Sequence, residues 1–429
     1  MPLRLDTRDP GFAADFTRLL GMKREISEDV DLAARSIIEG VVARGDAALV
    51  EYTQRYDRIE LTPASLRVRP EDIESARAAC DGEALAALEL AAQRIRAYHE
   101  RQMPADTRFT DALGVELGWR WTAIEAVGLY VPGGTAAYPS SVLMNAIPAK
   151  VAGCPRVVMV VPSPDGVLNP LVLAAAQLAG VDEIYRIGGA QAIAALAFGT
   201  ASIAPVAKIV GPGNAYVAAA KRRVFGHVGI DMIAGPSEVL VIADDSANPA
   251  WIAADLLAQA EHDSASQSIL ITDSAALADA VAAAVESQLV TLPRREIAGA
   301  SWRDFGATIL VRSLDEAPAL ADRLAAEHLE IMTADAEGLA LRIRNAGAIF
   351  LGGHTPEAIG DYVGGSNHVL PTARSARFSS GLGVLDFIKR TSILRCGPDQ
   401  LAALGPAAIA LGNAEGLEAH ARSVAIRRT

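Results

Sequence analysis

Cysteine is scarce in this 429-residue chain, which contains only Cys80, Cys154 and Cys396. These residues are far apart and form no CxxC pair, which argues against thiolate metal ligation, and we expect reduced packing residues. Runs of basic residues are also absent, and 39 Lys and Arg against 51 Asp and Glu leave a net charge of −12. This charge balance does not favour nucleic acid as a partner.

Long apolar runs are missing as well. Stretches such as Val157–Val161 and Ile193–Phe198 fall far short of the roughly 20 residues that a bilayer crossing needs. The N-terminal MPLRLDTRDPGF has no continuous apolar core, so we expect no secretory signal, no membrane partner and a cytoplasmic location. Aromatic residues make up only 5% of the chain, but 51% is hydrophobic, which excludes disorder as the dominant state.

The sequence pattern changes twice along the chain. Up to about residue 105, charged and alanine-rich segments such as Glu71–Cys80 and Glu83–His99 predict helices. From about residue 124, short β-branched runs alternate with glycine loops and alanine-rich segments, which is typical of β-loop-α units. We therefore predict an α/β fold with two adjacent, incomplete Rossmann-like parallel-sheet domains, a helical N-terminal region and a small C-terminal tail domain.

The predicted units fall into two series. Strands are predicted at Arg156–Val161, Glu183–Ile187, Ala207–Val210, Val239–Ala243, Ile269–Thr272, Ile309–Val311 and Ala348–Leu351. Helices of the first series are predicted near Leu171–Ala179, Ala192–Phe198 and Tyr216–Phe225. The predicted domains are an N-terminal arm (1–25), a first α/β domain (26–128 with 239–375), a second α/β domain (129–238) and a tail domain (376–429).

Glycine-rich loops follow three of the apolar runs. Two of them, Gly188-Gly189-Ala190-Gln191 and Gly211-Pro212-Gly213-Asn214, open predicted helices, where backbone N–H groups can bind phosphate. Neither matches GxGxxG, and their glycines suit tight turns equally well. The third, Gly128-Leu129-Tyr130-Val131-Pro132-Gly133-Gly134, places a tyrosine beside a flexible loop, although a plain turn with a packed tyrosine explains it better.

Four histidines, His262, His328, His368 and His420, lie beside polar residues. Gln259 and His262 are about 60° apart on a helix and can converge on one ligand. Glutamine is a poor zinc ligand, so chemistry alone favours Glu261 or Asp263 over Gln259, and a polar helix end explains the segment equally well.

Three further segments combine acids with histidines. Glu327 and His328 are adjacent where a helical pattern changes to a strand pattern, and they provide two proton carriers of different pKa, or a solvated helix end. Asp361 and His368 lie at the two ends of a glycine-rich loop, a kind of segment that often carries function. Asp361 could also stabilise a turn. Glu415 and His420 would lie about 140° apart on a continuous helix, and Gly416 can break that helix.

Together these segments resemble histidinol dehydrogenase over nearly the whole chain. The matching blocks, in the order of the family, are VGLYVPGGTAAYPSSVLMNAIPAKVAGC from Val127, RIGGAQAIAALAFGT from Arg186, KIVGPGNAYV from Lys208, DMIAGPSEVLVIAD from Asp231, DLLAQAEHD from Asp255, AEHLEI from Ala326, NHVLPT from Asn367 and AEGLEAHARSV from Ala414. Two departures are Ala326, where the family often has proline, and the loop Val363–Ser366.

The resemblance implies a zinc-dependent oxidation of L-histidinol through L-histidinal to L-histidine, with two NAD⁺ reduced in succession. It implies one Zn²⁺ per subunit, held by Gln259, His262, Asp361 and His420. His328 would accept the hydroxyl proton and Glu327 would activate water. The implied NAD contacts are Tyr130, Gln191 and Asn214. The implied substrate contacts are Ser237, Gln259, His262, Glu327, His328, Asp361, His368, Glu415 and His420.

The resemblance also implies an intertwined homodimer in which the C-terminal tail completes the partner's site. Two other functions stay open. One is a related zinc- and NAD-dependent dehydrogenase acting on another primary alcohol, such as sulfopropanediol, although the acidic Glu415 and Asp361 suit a cationic amine better than a sulfonate. The other is a catalytically silent zinc- or nucleotide-binding protein, which would have no need to keep every ligand and both proton carriers.

Overall fold

A computed structural model describes residues 2–22, 28–133, 138–233 and 235–428. The strands are β1 (Leu3–Asp6), β2 (Thr107–Thr110), β3 (Glu116–Ala123), β4 (Ala126–Tyr130), β5 (Arg156–Val160), β6 (Glu183–Tyr185), β7 (Lys208–Val210), β8 (Gly229–Ile230), β9 (Glu238–Ala243), β10 (Gln267–Thr272), β11 (Ala307–Leu310), β12 (His328–Met332), β13 (Ala348–Leu351) and β14 (Ile388–Arg395).

The α-helices are α1 (Phe12–Leu20), α2 (Glu28–Arg44), α3 (Asp46–Asp57), α4 (Pro70–Ala78), α5 (Gly82–Glu100), α6 (Pro139–Val151), α7 (Pro170–Ala179), α8 (Gly189–Phe198), α9 (Ala215–Val224), α10 (Pro249–Ala260), α11 (Ala275–Leu289), α12 (Arg295–Phe305), α13 (Ala317–Leu324), α14 (Ala336–Ala340), α15 (Glu357–Tyr362), α16 (Pro398–Ala414) and α17 (Glu418–Ala425). Parallel sheets covered by helices confirm the predicted α/β class. Among the described helices, none is both long and apolar enough to span a bilayer.

The first parallel sheet has five strands in the order β6-β5-β4-β7-β8. Alternate residues of β4 face opposite sides, so Val127 and Leu129 join one apolar core while Ala126 and Tyr130 join the other. Helices α6 and α7 cover the first side, and α8 and α9 cover the second. Burial on both faces explains why these strands are short, almost wholly apolar runs.

The N-terminal helices pack on this same sheet. Helices α2 and α3 lie against α8, α4 lies against α7, and α5 lies against α6. Ile37 and Val41 of α2 share a core with Ile193 of α8. The sequence analysis groups residues 26–128 with 239–375, whereas the apolar faces of these helices pack on the five-stranded sheet.

The second parallel sheet has six strands in the order β1-β11-β10-β9-β12-β13. Its edge strand β1 pairs with β11, from Leu3 opposite Ala307 to Asp6 opposite Leu310. The predicted arm therefore contributes a strand to this sheet, while Met1 and residues 23–25 lie outside the described residues. The predicted strands at 239–243, 269–272, 309–311 and 348–351 correspond to β9, β10, β11 and β13.

A small antiparallel sheet joins distant parts of the chain. Strand β14 pairs with β3 from Ile388 opposite Ala123 to Arg395 opposite Glu116, and β2 pairs with the other edge of β3. The sequence analysis predicts helices for the tail and misses β14. Helices α16 and α17 pack on each other, and apolar side chains of this pair stay exposed in the single chain: Leu404, Leu411, Leu417 and Ile426.

The two parallel sheets are joined by a short connection. Residues 231–237 lead from the carboxyl end of β8 in the five-stranded sheet to the amino end of β9 in the six-stranded sheet. Seven residues span at most about 25 Å. The carboxyl edge of the first sheet is therefore held near the amino edge of the second, where β12 also begins, because β9 and β12 are parallel neighbours.

Candidate active site

Glu327 and His328 lie at the amino end of β12, and both are buried. Oε2 of Glu327 accepts a hydrogen bond from the backbone N–H of Glu238 at 3.1 Å, and the Ser237 side chain also hydrogen-bonds to this carboxyl group. The helix-to-strand junction predicted from the sequence thus places the pair inside the protein, which is inconsistent with a solvated helix end.

Oxygen atoms surround one ring nitrogen of His328. Its Nδ1 lies 3.2 Å from Oε1 of Gln259, 3.3 Å from the carbonyl oxygen of Glu238 and 3.5 Å from Oε1 of Glu357. Because these atoms are acceptors, the proton of the neutral ring belongs on Nδ1. The buried Nε2 has no hydrogen-bond partner among the described residues and lies 3.7 Å from Oδ1 of Asp361, so its lone pair is available as a base.

Ligand atoms of His328, Glu357 and Asp361 lie within 4.8 Å of one another, as in a metal site. Besides His328 Nε2, two further buried polar atoms here, Nε2 of Gln259 and Oε2 of Glu357, have no hydrogen-bond partner in the described residues. Buried polar groups are normally paired, so these atoms mark a place where a polar or charged ligand fits.

His368 belongs to this cluster, whereas His262 lies at its rim and is exposed in the single chain. His262 is electrostatically coupled to Asp361, and desolvation lowers its pKa. Nδ1 of His368 lies 2.9 Å from the carbonyl oxygen of Asp361, and its Nε2 lies 3.4 Å from Oγ of Ser141 in α6. Burial lowers the pKa of His368 to about 4. The contact to α6 joins this cluster to the carboxyl edge of the five-stranded sheet.

Glu415 and His420, by contrast, lie on the surface of the α16–α17 pair. Glu415 is the last residue before the turn at Gly416, which separates the two helices and has a positive φ of 71°. In the described part of the chain, no hydrogen bond or ion pair links either residue to the buried cluster. One chain therefore places Gln259 and Asp361 beside His328, with the exposed His262 near enough to Asp361 to interact electrostatically, but it does not bring the fourth predicted ligand to them.

The donor set at the cluster fits a zinc ion in part. A carboxylate, an imidazole and an amide oxygen are acceptable to zinc, which tolerates mixed nitrogen and oxygen ligands. The partnerless Oε2 of Glu357 can bind a cation, whereas the partnerless atom of Gln259 is the amide nitrogen, and its Oε1 already lies 3.2 Å from Nδ1 of His328. Asp263, which chemistry alone favours together with Glu261, is placed differently, since its Oδ1 accepts the backbone N–H of Ala265.

The three glycine loops meet at the carboxyl edge of the five-stranded sheet. Tyr130 is buried and its hydroxyl accepts the backbone N–H of Gly189, as the packed-tyrosine interpretation predicts. A Cβ on Gly188 would lie 2.4 Å from Pro162, and one on Gly211 would lie 2.2 Å from the carbonyl oxygen of Tyr130. Close packing therefore explains these glycines without a ligand.

The predicted NAD residues differ in exposure. Gln191 is buried in the first turn of α8, whereas Asn214 is exposed and caps α9. Oδ1 of Asn214 accepts the N–H groups of Tyr216 and Val217, so these donors are already satisfied by the exposed Asn214 side chain. Gly134, in the third loop, lies outside the described residues.

Sequence reasoning missed three acids near the cluster, namely Asp255, Glu330 and Glu357. Oε1 of Glu330 accepts the backbone N–H of Glu357 at 2.7 Å, and its carboxyl group is hydrogen-bonded to Asp255. Burial raises the pKa of Glu330 to about 9 and that of Asp255 to about 6. The sequence spacing of two of these acids could have indicated their position. Glu330 is two residues after His328 on the same strand face, and Asp255 precedes Gln259 by one helical turn.

Burial gives Glu327 and His328 opposite pKa shifts. It raises the pKa of Glu327 to about 8 and lowers that of His328 to about 3. Both groups are therefore biased towards their neutral forms, because a low-dielectric interior disfavours charge. A positive charge bound in the cluster would favour the Glu327 carboxylate.

This shift predicts a pH-dependent stability. The folded state retains a proton on Glu327 up to about pH 8, whereas the unfolded chain releases it near 4.5, so this contribution is present below pH 4.5 and is lost as the pH rises through about 8. The Glu327→Gln variant has no titratable carboxyl group at this position. In metal-free protein, its unfolding free energy should improve relative to wild type between pH 5 and 8, by at most about 1.4 kcal/mol per pH unit.

Urea unfolding at several pH values and one protein concentration measures this difference. Glu183→Gln is the control, because Arg156 lowers the pKa of Glu183 and no such trend is expected between pH 5 and 8. A constant difference between Glu327→Gln and wild type across this range would contradict the assigned shift.

Comparison with known proteins identifies the family of this chain. The family model for histidinol dehydrogenase matches residues 21–428. The chain belongs to the histidinol dehydrogenase family. Histidinol dehydrogenases of Rhodopseudomonas palustris and Bradyrhizobium diazoefficiens are 73% and 72% identical over 427 residues, covering 100% of this chain and 99% of each relative.

A solved structure matches the architecture as well. The crystal structure of histidinol dehydrogenase from Elizabethkingia anophelis superimposes with a TM-score of 0.95 at 36% identity, covering 99% of this chain and 98% of that one. Family membership thus accounts for the arrangement of both parallel sheets and the tail, and it confirms the resemblance found in the sequence.

Proposed function

We propose that this protein oxidises L-histidinol through L-histidinal to L-histidine, reducing two NAD⁺ at one zinc-containing site, as the last step of histidine biosynthesis in the cytoplasm. The observation that carries this proposal is the buried Glu327–His328 pair at the edge of the Gln259, His262 and Asp361 cluster. The pair provides a base for each of two oxidations, and family membership supports the substrate.

His328 performs the first proton transfer. Its low pKa keeps the ring neutral at pH 7, and its hydrogen-bonded Nδ1–H leaves Nε2 to accept the proton of the substrate hydroxyl. Such general-base catalysis typically contributes about 10²- to 10⁴-fold to a rate. The oxygens around Nδ1 also stabilise the imidazolium that forms.

Glu327 acts in the second oxidation. Its carboxylate accepts a proton from the water that attacks the aldehyde carbon, giving the gem-diol that is oxidised to the acid. The backbone N–H of Glu238 and the Ser237 hydroxyl orient this carboxylate. Cationic groups of the bound substrate would offset the burial that otherwise keeps Glu327 protonated.

The proposal gives the metal and the cofactor separate roles. Gln259, His262, Asp361 and the partner subunit's His420 would hold Zn²⁺, and Tyr130, Gln191 and Asn214 would contact NAD. When bound, the metal orients the imidazole and amino groups of the substrate, and NAD⁺ takes up the hydride of each oxidation. Ser237, His368 and Glu415 would contact the substrate in this arrangement.

A homodimer with shared sites accounts for the placement of the tail. Glu415 and His420 are exposed and separate from the cluster in one chain, and the α16–α17 pair leaves Leu411, Leu417 and Ile426 exposed. Seating this pair on a second copy would bury these side chains and deliver Glu415 and His420 to the partner's cluster. Neither nucleic acid nor a membrane has a role in this proposal.

The test is the amount of NADH formed per L-histidinol consumed, with and without chelation of the metal. We expect two NADH per substrate, loss of activity after chelation and recovery with Zn²⁺. One NADH with released aldehyde would remove the proposed second oxidation. Activity on sulfopropanediol, with none on histidinol, would replace the proposed substrate.

A further inference from the structure

A buried ion pair outside the catalytic cluster lies beside one of the glycine loops. Lys221 in α9 and Asp231 after β8 form a salt bridge, and their side chains are only 3% and 1% exposed. Burying two charges is costly unless their geometry and hydrogen bonds compensate for the lost hydration. The hydrogen bonds that compensate for this cost therefore show which segment of the chain the ion pair keeps in place.

Both charged groups bind the same loop residue. Nζ of Lys221 donates to the carbonyl oxygen of Gly211 at 2.9 Å, and Oδ2 of Asp231 accepts the backbone N–H of Gly211 at 2.7 Å. Gly211 is thus held at both of its peptide groups. It has a positive φ of 109°, and its Cα packs so closely on Tyr130 that no Cβ would fit.

The other contacts of the pair extend to neighbouring segments. Oδ1 of Asp231 accepts the backbone N–H of Met232, which lies in the connection that leads to Ser237 and the six-stranded sheet. On the other side, Gly211 packs on Tyr130, whose hydroxyl accepts the Gly189 N–H. One charged pair therefore fixes the loop 211–214 relative to both the other glycine loops and the connection between the two sheets.

We infer that Lys221 and Asp231 are positioning residues for the nicotinamide nucleotide: they hold the loop 211–214 in the conformation that binds NAD(H). This inference rests on the NAD site of the proposed function. The pair acts through Gly211 and the exposed Asn214, and it need not touch the nucleotide itself. Holding a loop in its binding conformation raises affinity by reducing the ordering cost of binding.

The decisive variant removes both charges together. Lys221→Met with Asp231→Asn leaves no unpaired buried charge, so the fold should persist, whereas either single change risks destabilisation. Asparagine can still accept the Gly211 N–H, but the Gly211 carbonyl loses its charged donor. The matched control is Lys150→Met with Asp182→Asn, which removes an ion pair at the opposite, amino edge of the same sheet.

Fluorescence titration with NADH measures the effect on the zinc-loaded dimer, and L-histidinol binding is measured separately without nucleotide. We expect the Lys221→Met/Asp231→Asn variant to bind NADH about tenfold or more weakly, with its thermal midpoint and histidinol affinity near wild type. The control variant should bind NADH like wild type.

Three results would overturn the inference. NADH affinity within about twofold of wild type would show that the pair does not position the loop, while the proposed cofactor would stand. An equal loss of histidinol binding would indicate general loosening instead of positioning. If wild-type protein bound no NADH at all, the proposed NAD site itself would fail, and the inference with it.

Discussion

Glu327→Gln should convert the four-electron oxidation into a two-electron one. The variant should form one NADH per histidinol and release or accumulate histidinal, because glutamine cannot accept the proton of the attacking water. His328 Nε2 is unaffected by this change and still serves the alcohol step. We expect the aldehyde step to slow by about 100-fold or more, the range typical for removal of a general base.

The two half-reactions can be measured separately. Pre-steady-state NADH formation from histidinol reports the first oxidation, and NADH formation from supplied histidinal reports the second. His328→Asn is the matched variant and should show the reverse pattern, with the larger loss in the alcohol step. Equal losses in both half-reactions for Glu327→Gln would remove the role assigned to this carboxylate.

Gln259→Ala and His420→Ala should each abolish activity alone, and mixing the two variants should restore part of it. In a mixed dimer, one site combines an intact cluster with an intact tail from the partner, while the other site carries both changes. Random reassembly of equal amounts makes half of the dimers mixed, so about one quarter of all sites should recover.

This complementation depends on where His420 lies. Mixed dimers are verified with two affinity tags, and unmixed variants provide the baseline. If His420 served the cluster of its own chain, every site would carry one defect, and verified mixed dimers would stay inactive. Asp361→Ala mixed with Gln259→Ala is the control: both residues lie in the cluster of a single chain, so no recovery is expected.

Much of the fold follows from local patterns. The strands at 156–160 and 208–210 are short apolar runs between helices, and burial on both faces requires that composition. The strands β2, β3 and β14 gave no such signal. Strand β14 pairs with β3 across more than 260 positions, whereas β2 pairs with β3 nearby in the chain. Thr107–Thr110 and Ile388–Arg395 are largely exposed, so their sequences lack a clear period.

Some residues of the candidate site can likewise be recognised from local sequence patterns, and others cannot. The Glu327–His328 junction and the Gln259–His262 spacing are visible as local patterns, and the long motif blocks indicate the family that the comparisons confirm. The assignment of metal and NAD ligands stays a prediction. Glu357 was not predicted, because no pattern in its part of the sequence indicates that its Oε1 lies 3.5 Å from Nδ1 of His328.

The α/β class, the family and the residue types available for chemistry can all be recognised in the sequence, because helix and strand periodicity and long motifs are local properties. The three-dimensional structure was needed to show that the N-terminal helices pack on the five-stranded sheet, that β1 joins the six-stranded sheet, and that Nε2 of His328 has no hydrogen-bond partner among the described residues. These outcomes depend on packing, burial and hydrogen bonds between segments that are distant in the chain.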